Sequence, residues 1–239
     1  MGLVLALAAG SIAACGSNSD NGKEGATLTV LNYGKYIDED AVKQFEKETG
    51  IKVKYEEYES PEEMYTKYKA GSIDYDVICS SEYMVEKLIN EGEVLQMDYA
   101  GMENYKNLDP TIIDMSSAYD KDHNYSLPYF YGTLGLLYNK TEVDPSVVKS
   151  WDCLWDPTYE DEIIMENSVR DTFAPALIDL GYSLNETDET HLREALDVLK
   201  KQKDDKIVYG YYVDETADAM IGEEALIALC YSGEAALAM

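Results

Sequence analysis

The stretch Thr27-Leu28-Thr29-Val30-Leu31-Asn32-Tyr33 begins the pattern that decides the fold. Its apolar and polar residues alternate and it is rich in β-branched side chains, which predicts a first β-strand. Residues Asp38 to Thr49 then place Ala41, Val42 and Phe45 on one helical face, and Gly50 is a typical helix stop. A second alternating stretch, Ile51 to Tyr55, predicts the next strand.

Two further units of the same kind follow. Ser60-Pro61-Glu62-Glu63 has the composition of a helix start, with Ser60 as N-cap and Glu63 completing a capping box. Tyr75 to Cys79 predicts a short apolar strand, and Ser81 begins a helix that runs to about Asn90. Strand and helix thus alternate three times, which is typical of a parallel, layered α/β domain.

In such a domain, ligands bind outside the carboxyl ends of the strands. Here those ends lead into Asn32–Tyr36, Glu57–Ser60 and Cys79–Tyr83, and all three segments carry tyrosine. With 21 tyrosines against three phenylalanines and two tryptophans, the chain is rich in side chains that have an apolar face and a polar tip. Most of them are expected at the boundary of core and surface, and a few in a binding cleft.

The pattern breaks around Tyr125–Thr133, and an extended run follows at Leu134–Asn139. We interpret the Gly132 region as a crossing between a first α/β lobe, residues 27–132, and a second, residues 133–239. The second lobe is predicted to contain a strand at 162–166, helices at 171–180 and 189–203, a buried strand at 225–231 and a helix from Ser232. That last helix stops in mid-pattern at Met239, so we expect the second lobe to be truncated and the C-terminal part of the fold to be missing.

The N-terminal residues predict export. The apolar run from Leu5 closes on small residues and then Cys15, which is typical of a bacterial lipoprotein signal at residues 1–14 with lipid attached to Cys15. No Lys or Arg precedes Cys15, so the signal is expected to be incomplete at its N-terminus. Residues 15–26 are polar and glycine-containing and predict a flexible tether. The alternative is a short buried helix. The lipoprotein interpretation places the protein outside the cytoplasm, anchored to the outer face of a membrane.

Composition restricts the possible ligands. The net charge of −28 repels nucleic acid and anionic lipid surfaces and attracts small cations, although most carboxylates will simply be solvated. Apart from Cys15 three cysteines remain, an odd number, and neither they nor the two histidines have metal-site spacing. We therefore predict no metal and no cofactor.

The alternative from another class of protein is an enzyme, namely a lipid-anchored hydrolase with paired carboxylates. The candidate pairs are Glu56 with Glu57 and Glu223 with Glu224. Neighbouring residues on a strand point to opposite faces, and neighbouring residues on a helix diverge. Since there is also no nucleophile elbow, metal motif or phosphate loop, we predict no catalytic residues and no enzyme activity.

Several of these segments, taken together, resemble extracellular solute-binding proteins of ABC importers, and among them those that bind the polyamines spermidine and putrescine. The resemblance runs from about Thr27 to Met239. It rests on Asn32–Tyr36, Phe45–Val53, Tyr58–Ser60 with Met64-Tyr65, Tyr75–Val77, Asn107–Pro110, Tyr125–Tyr129 and Ser150-Trp151 with Leu154-Trp155. It implies two α/β lobes joined by hinge-crossing strands, a monomer that captures a polyamine between its lobes, and delivery of that polyamine to the membrane permease of an ABC importer.

The resemblance also implies site residues, in which aromatic rings flank the methylene chain and acids meet the ammonium ends. Carried over by position, the contacts would be Tyr33, Gly34, Tyr36, Ser81 and Tyr83 in the first lobe and Ser168, Asp171 and Tyr231 in the second. Many relatives have Trp at Tyr33 and Tyr231, and some have Thr at Gly34. The best-known relatives carry Asp at Ser168 and Glu at Asp171, which weakens one anionic anchor here.

For each candidate an ordinary structural role is the alternative. Tyr33 and Tyr36 could pack the sheet edge, and Asp171 could be a first-turn acid of the helix that begins there. For the whole protein, the alternatives are another solute, such as an iron complex or another small amine, and a ligand sensor for a membrane receptor.

Overall fold

A computed structural model of the chain describes residues 25–239. Cys15, the predicted signal and most of the predicted tether lie outside these residues. The strands are β1 (Thr27–Tyr33), β2 (Lys52–Tyr58), β3 (Val77–Ile78), β4 (Leu134–Tyr138), β5 (Ile163–Glu166), β6 (Val208–Tyr212) and β7 (Ile227–Tyr231). The helices are α1 (Glu39–Thr49), α2 (Pro61–Lys69), α3 (Glu82–Asn90), α4 (Pro110–Ser116), α5 (Val169–Asp179), α6 (Glu189–Asp204), α7 (Thr216–Ile221) and α8 (Ser232–Ala238). Short 3₁₀ helices lie at Tyr99–Gly101, Glu103–Asn107, Val147–Lys149, Trp151–Trp155 and Pro157–Tyr159.

The first sheet has the order β2-β1-β3, and both neighbours of β1 run parallel to it. The central position of β1 explains why its last three residues, Leu31, Asn32 and Tyr33, are buried. Because parallel strands need covering on both faces, α1, α2 and α3 follow the three strands in turn. The predicted strand–helix units are confirmed, although β3 is shorter than the predicted strand at Tyr75–Cys79. We call this sheet and its helices the first lobe.

Local sequence signals set the ends of the first-lobe helices. The Ser60 hydroxyl accepts a hydrogen bond from the Glu63 backbone N–H at 3.2 Å, and the Glu63 carboxylate accepts one from the Glu59 N–H at 2.8 Å. Asp38 caps α1 in the same way, and Gly50 ends that helix with the left-handed φ of 71° that glycine adopts without strain. The predicted helix start at Ser60 is therefore confirmed.

The second sheet has the order β4-β7-β5-β6, with β5 parallel to β6 and β7, and β4 antiparallel to β7. Strand β6 had not been predicted, because Val208–Tyr212 is an edge strand interrupted by Gly210 and lacks a strong apolar alternation. We call this sheet and its helices the second lobe. The boundary near Gly132 stays a prediction, but β4 is the first strand of the second sheet.

One predicted helix boundary was wrong. Helix α5 begins at Val169, two residues before the predicted start at Asp171. Ser168 has extended backbone angles and occupies the N-cap position, so Asp171 falls inside the first turn. Its carboxylate does not cap the helix.

Two side chains, Asp120 and Tyr129, make hydrogen bonds that hold the segment joining the lobes. The Asp120 carboxylate accepts hydrogen bonds from the backbone N–H groups of Asn124, Tyr125 and Ser126 at 2.8–3.0 Å. Further along, the Tyr129 hydroxyl donates to the Tyr36 carbonyl at 2.6 Å, so the crossing segment is fastened to the loop after β1.

Each lobe has its own buried core. The first-lobe core includes Leu31, Met64 and Leu88, and the second-lobe core includes Leu154 and Ile163. Trp151 and Trp155 pack against the second core. Among the described residues, no helix has both the length and the apolar character needed to cross a membrane.

Candidate ligand-binding site between the lobes

The carboxyl ends of the parallel strands in the two sheets face one another. A cavity of about 300 Å³ lies between them, which we call the interlobe cavity. The first lobe contributes Ser60 and Glu62, at the start of α2. The second lobe contributes residues from the β5–α5 junction and β6, namely Glu166, Asn167, Ser168, Val169, Thr172, Phe173 and Tyr211. The position agrees with the rule that open α/β sheets bind ligands at the carboxyl ends of their strands.

Tyr33 and Ser81 meet at this edge of the first lobe. The Tyr33 ring is 7% exposed and packs against Tyr58, with ring centroids 4.5 Å apart, and its hydroxyl lies 2.8 Å from the Ser81 hydroxyl oxygen. Burial raises the pKa of Tyr33, which keeps this hydroxyl neutral. Tyr33 therefore serves the core with its ring and the site with its hydroxyl.

Tyr36 lies across the loop from Tyr33. The two rings meet edge to face, with centroids 5.1 Å apart, and the Tyr36 ring is half-buried. Burial, together with the negative charges of Glu234, Glu166 and other nearby groups, raises the pKa of Tyr36 to about 12. The pKa of Tyr36 therefore depends on acids that belong to the second lobe.

Tyr83 also bridges the lobes. Its hydroxyl donates to the Glu62 carboxylate at 3.0 Å, and the Arg170 guanidinium of the second lobe lies 5.2 Å from the centre of its ring. Burial, followed by the charge of Glu62, raises its pKa. Ser168 is close enough to influence this hydroxyl, yet its own buried Oγ atom makes no hydrogen bond.

Asp171 and Tyr231 form a pair on the second lobe. The Tyr231 hydroxyl donates to the Asp171 carboxylate at 2.6 Å, and burial followed by the Asp171 charge raises the pKa of Tyr231. Tyr231 ends β7, and Asp171 lies in the first turn of α5. The carboxylate is therefore oriented by a phenol and keeps room for another donor.

The most unusual side chain of the site is one that the sequence analysis did not select. Glu166, the last residue of β5, has no exposed surface, and neither of its carboxylate oxygens makes a hydrogen bond. Its backbone is fixed, because the Thr172 hydroxyl donates to the Glu166 carbonyl at 2.5 Å. Burial raises the pKa of Glu166 to about 9, and the nearby acids Asp171, Glu234 and Asp214 add to the rise. The sequence shows only an acid after an apolar strand, and its burial depends on β6 and β7, which are distant in sequence.

Two further acids were missed, and both lie near a lysine of the other lobe. Glu234, in the first turn of α8, is 4% exposed with one oxygen unpartnered, and Asp214 follows β6. Burial raises the pKa of each, and the Lys35 ammonium opposes that rise in both cases. Lys35 also donates to the Asp214 backbone carbonyl. This contact joins the loop after β1 to the loop after β6.

Of the eight predicted positions, Ser168 alone is in the lining of the interlobe cavity. The other seven are outside that lining and take part in the contacts Tyr33–Ser81, Tyr83–Arg170 and Tyr231–Asp171, in the approach of Asp214 to Gly34 and in the effect of Glu166 on Tyr36. The structure adds Glu166, which lines the cavity, and the neighbouring acids Asp214 and Glu234. Their roles as ligand contacts stay a prediction. Across residues 25–239, no group of three or more His, Cys, Asp or Glu side chains is arranged to hold a metal ion. Carboxylates that influence one another without converging on one point suit an extended cation with separated charges, and the tyrosine faces suit its hydrocarbon.

A second cavity, of about 380 Å³, lies elsewhere on the first lobe. It is lined by Met102, Glu103, Asn104, Tyr105, Leu108 and Leu127. None of the predicted site residues lies in it, and its walls lack the buried acids of the interlobe cavity. We therefore place the candidate site between the lobes.

Two α/β lobes with a cavity between the carboxyl ends of their strands define a two-lobed solute-binding protein. Residues 40–239 match the family described as bacterial extracellular solute-binding protein, and the chain belongs to this family. The predicted fold class is confirmed, and so is the prediction that the protein is not an enzyme, because this family consists of solute-binding proteins.

Individual relatives agree with this assignment. The spermidine/putrescine-binding periplasmic protein of Salmonella typhimurium is 34% identical over 235 residues, which cover 97% of this chain and 66% of the relative. The putrescine/cadaverine-binding protein of Pseudomonas aeruginosa is 37% identical over 174 residues, covering 70% of this chain and 49% of the relative. The chain therefore spans about two thirds or less of these relatives.

A solved structure is similar over nearly the whole described chain. It is named for a spermidine/putrescine ABC transporter from Listeria monocytogenes and is 36% identical, with a TM-score of 0.81. The similarity covers 90% of this chain and 65% of that one. The predicted resemblance is confirmed at the level of family and fold.

Proposed function

We propose that this protein captures a polyamine, spermidine or putrescine, between its two lobes and delivers it to the permease of an ABC importer. The observation that carries the proposal is Glu166, a fully buried carboxyl with no hydrogen-bond partner in a cavity that tyrosines adjoin. A buried polar group without a partner is costly, and a ligand ammonium would supply the missing donor.

The chemistry of a polyamine matches the rest of the site. Its ammonium groups have pKa values near that of lysine, about 10, so they are charged at neutral pH. Asp171 and Glu166 offer acceptors, Tyr33 offers its hydroxyl, and Tyr36 and Tyr231 offer ring faces. Each desolvated ammonium–carboxylate bond contributes about 1.5–3 kcal/mol and each cation–π contact about 0.5–2 kcal/mol. Two such bonds and two ring contacts sum to about 4–10 kcal/mol before ordering costs, and a micromolar dissociation constant corresponds to about 8 kcal/mol, so the affinity requires the upper part of these ranges.

Calorimetric titration of the purified protein tests this function. We expect one site with a micromolar or tighter dissociation constant for putrescine, spermidine or both, and no heat of binding with glucose or ferric citrate. A protein that melts cooperatively but ignores both polyamines at millimolar concentration would show that the ligand is another solute. Binding of ferric citrate alone would favour an iron complex.

We further propose that Cys15 carries lipid and holds the protein on the outer face of the membrane. The support is the small-residue stretch before Cys15 and the polar tether after it. Cells fed a labelled fatty acid should incorporate the label into the wild-type protein and not into the Cys15→Ser variant. The matched control is Cys79→Ser, which should keep the label, and labelling of Cys15→Ser would contradict the anchor.

A further inference from the structure

The loop after β1 places a lysine at one end of the acidic cluster. Lys35 is exposed on its outer side, but its ammonium donates to the Asp214 carbonyl across the cleft. Its charge also lowers the pKa of Asp214 and of Glu234, against the effect of their burial. The Lys35 ammonium therefore already supplies a positive charge near Asp214 and Glu234.

A glycine allows this close approach. A Cβ atom at Gly34 would lie 2.7 Å from the Asp214 carboxylate oxygen Oδ2, so any larger residue there would make the Asp214 side chain shift. Because residue 34 is glycine, the loop after β6 can come against the loop after β1 and reach Lys35. Gly34 leaves space for the Asp214 side chain, and Lys35 donates a hydrogen bond to the Asp214 backbone carbonyl.

The other end of the cluster has no such cation of its own. Both Glu166 oxygens are unpartnered, and Asp171 receives only the neutral Tyr231 hydroxyl. Arg170, the nearest candidate by sequence, instead donates to the Asn185 side chain at 2.6 Å and lies over the Tyr83 ring. Glu166 and Asp171 are therefore available to ligand ammonium groups. Lys35 supplies the positive charge near Asp214 and Glu234.

We propose that Lys35 determines ligand specificity: its ammonium takes the place that the third ammonium of a triamine would occupy, so the cleft prefers linear diamines. This inference rests on the proposed polyamine function. A triamine must either leave its third charge outside the acidic cluster or displace Lys35 from Asp214. A diamine needs neither, because its two ammonium groups meet Glu166 and Asp171.

The test compares putrescine, a diamine, with spermidine, a triamine, by calorimetric titration of the wild type and three variants. The wild type should bind putrescine about tenfold more tightly than spermidine. Lys35→Met should strengthen spermidine binding about tenfold and change putrescine binding less than threefold. Lys35→Arg keeps the charge and should keep the diamine preference. Lys43→Met removes an exposed lysine that pairs with Asp40 on α1 and should behave as wild type.

The outcomes separate this inference from the function on which it depends. A wild type that prefers spermidine, or a Lys35→Met variant whose putrescine-to-spermidine ratio is unchanged, would overturn the role of Lys35 while leaving polyamine binding in place. Absence of binding to either polyamine by every folded variant would overturn both. Thermal melting of each variant shows that it is folded, and Lys35 is exposed enough that its loss should not unfold the lobe.

Discussion

Replacement of Glu166 by glutamine should weaken polyamine binding about 100-fold at pH 8.5. At that pH the wild-type carboxyl can ionise at little cost, because its pKa in the ligand-free protein is about 9. Glutamine keeps the shape but offers a neutral acceptor, so the ligand ammonium loses its charged partner in a buried place. Breaking a buried charge pair in this way costs about 2–5 kcal/mol, and each 1.4 kcal/mol is a factor of ten in affinity.

The same replacement should raise the melting temperature of the ligand-free protein at pH 8. Since burial raises the pKa of Glu166 from its ordinary value of 4.5 to about 9, the folded protein holds a proton that the unfolded chain releases. The stability that this proton binding contributes is complete below about pH 4.5 and is lost as the pH rises toward 9. Glutamine does not titrate, so the variant should lose this part of the pH dependence.

Calorimetry for the ligand and thermal melts at pH 5 and pH 8 check both effects. Glu162→Gln is the matched control, because it makes the same change at the residue that precedes β5, about 13 Å away for four residues of extended chain. It should leave polyamine affinity unchanged. If Glu166→Gln binds as tightly as wild type at pH 8.5, the buried carboxyl does not contact the ligand.

Short-range patterns made much of the first lobe predictable. The capping box at Ser60 and Glu63 and the stop at Gly50 act within one helical turn, so the residues that decide them are adjacent in the sequence. The tyrosine-bearing segments that follow β1 and β3 were expected at a ligand-binding edge, because the carboxyl ends of parallel strands share one edge, and the resemblance then selected the individual tyrosines. No property of a distant segment was needed for these predictions.

The acids of the second lobe could not be selected by the same reasoning. The apolar run Ile163–Met165 indicates a strand, but whether Glu166 is covered depends on β7, β6 and the first lobe, which are distant in sequence. Glu234 looks like an ordinary first-turn acid, and Asp214 follows a strand that lacks a clear pattern. Burial without a partner is a tertiary property, and it is what distinguishes Glu166 and Glu234 among the 47 acids of the chain.

Polyamine affinity should depend strongly on pH, and binding should release protons. In the ligand-free protein Glu166 is protonated below about pH 9, and a bound ammonium supplies the positive charge that lets it ionise. At pH 7 this ionisation lies two units below the pKa and costs about 2.7 kcal/mol, so affinity should be about 100-fold lower at pH 7 than at pH 9. Above pH 9 the ligand amines begin to lose their own charge, with pKa values of about 10, and the rise should end.

Acidic and neutral side chains surround Glu166. The acidic ones are Asp171, Glu234 and Asp214, all of which oppose its ionisation. The neutral ones whose pKa values are raised by Glu166 are Tyr36, Cys230 and Tyr231.

Calorimetric titrations at pH 7 in phosphate and in Tris buffers measure this release, since the two buffers differ in ionisation enthalpy. The wild type and Glu162→Gln should release about one proton per ligand, and Glu166→Gln should release about one fewer. The affinity of Glu166→Gln should also vary much less with pH, so that the wild-type and variant curves approach each other toward pH 6, where both carry a neutral residue at this position. A flat wild-type affinity between pH 6 and pH 9, with no dependence of the heat on the buffer, would mean that Glu166 stays protonated beside the ligand and that other acids receive the ammonium groups.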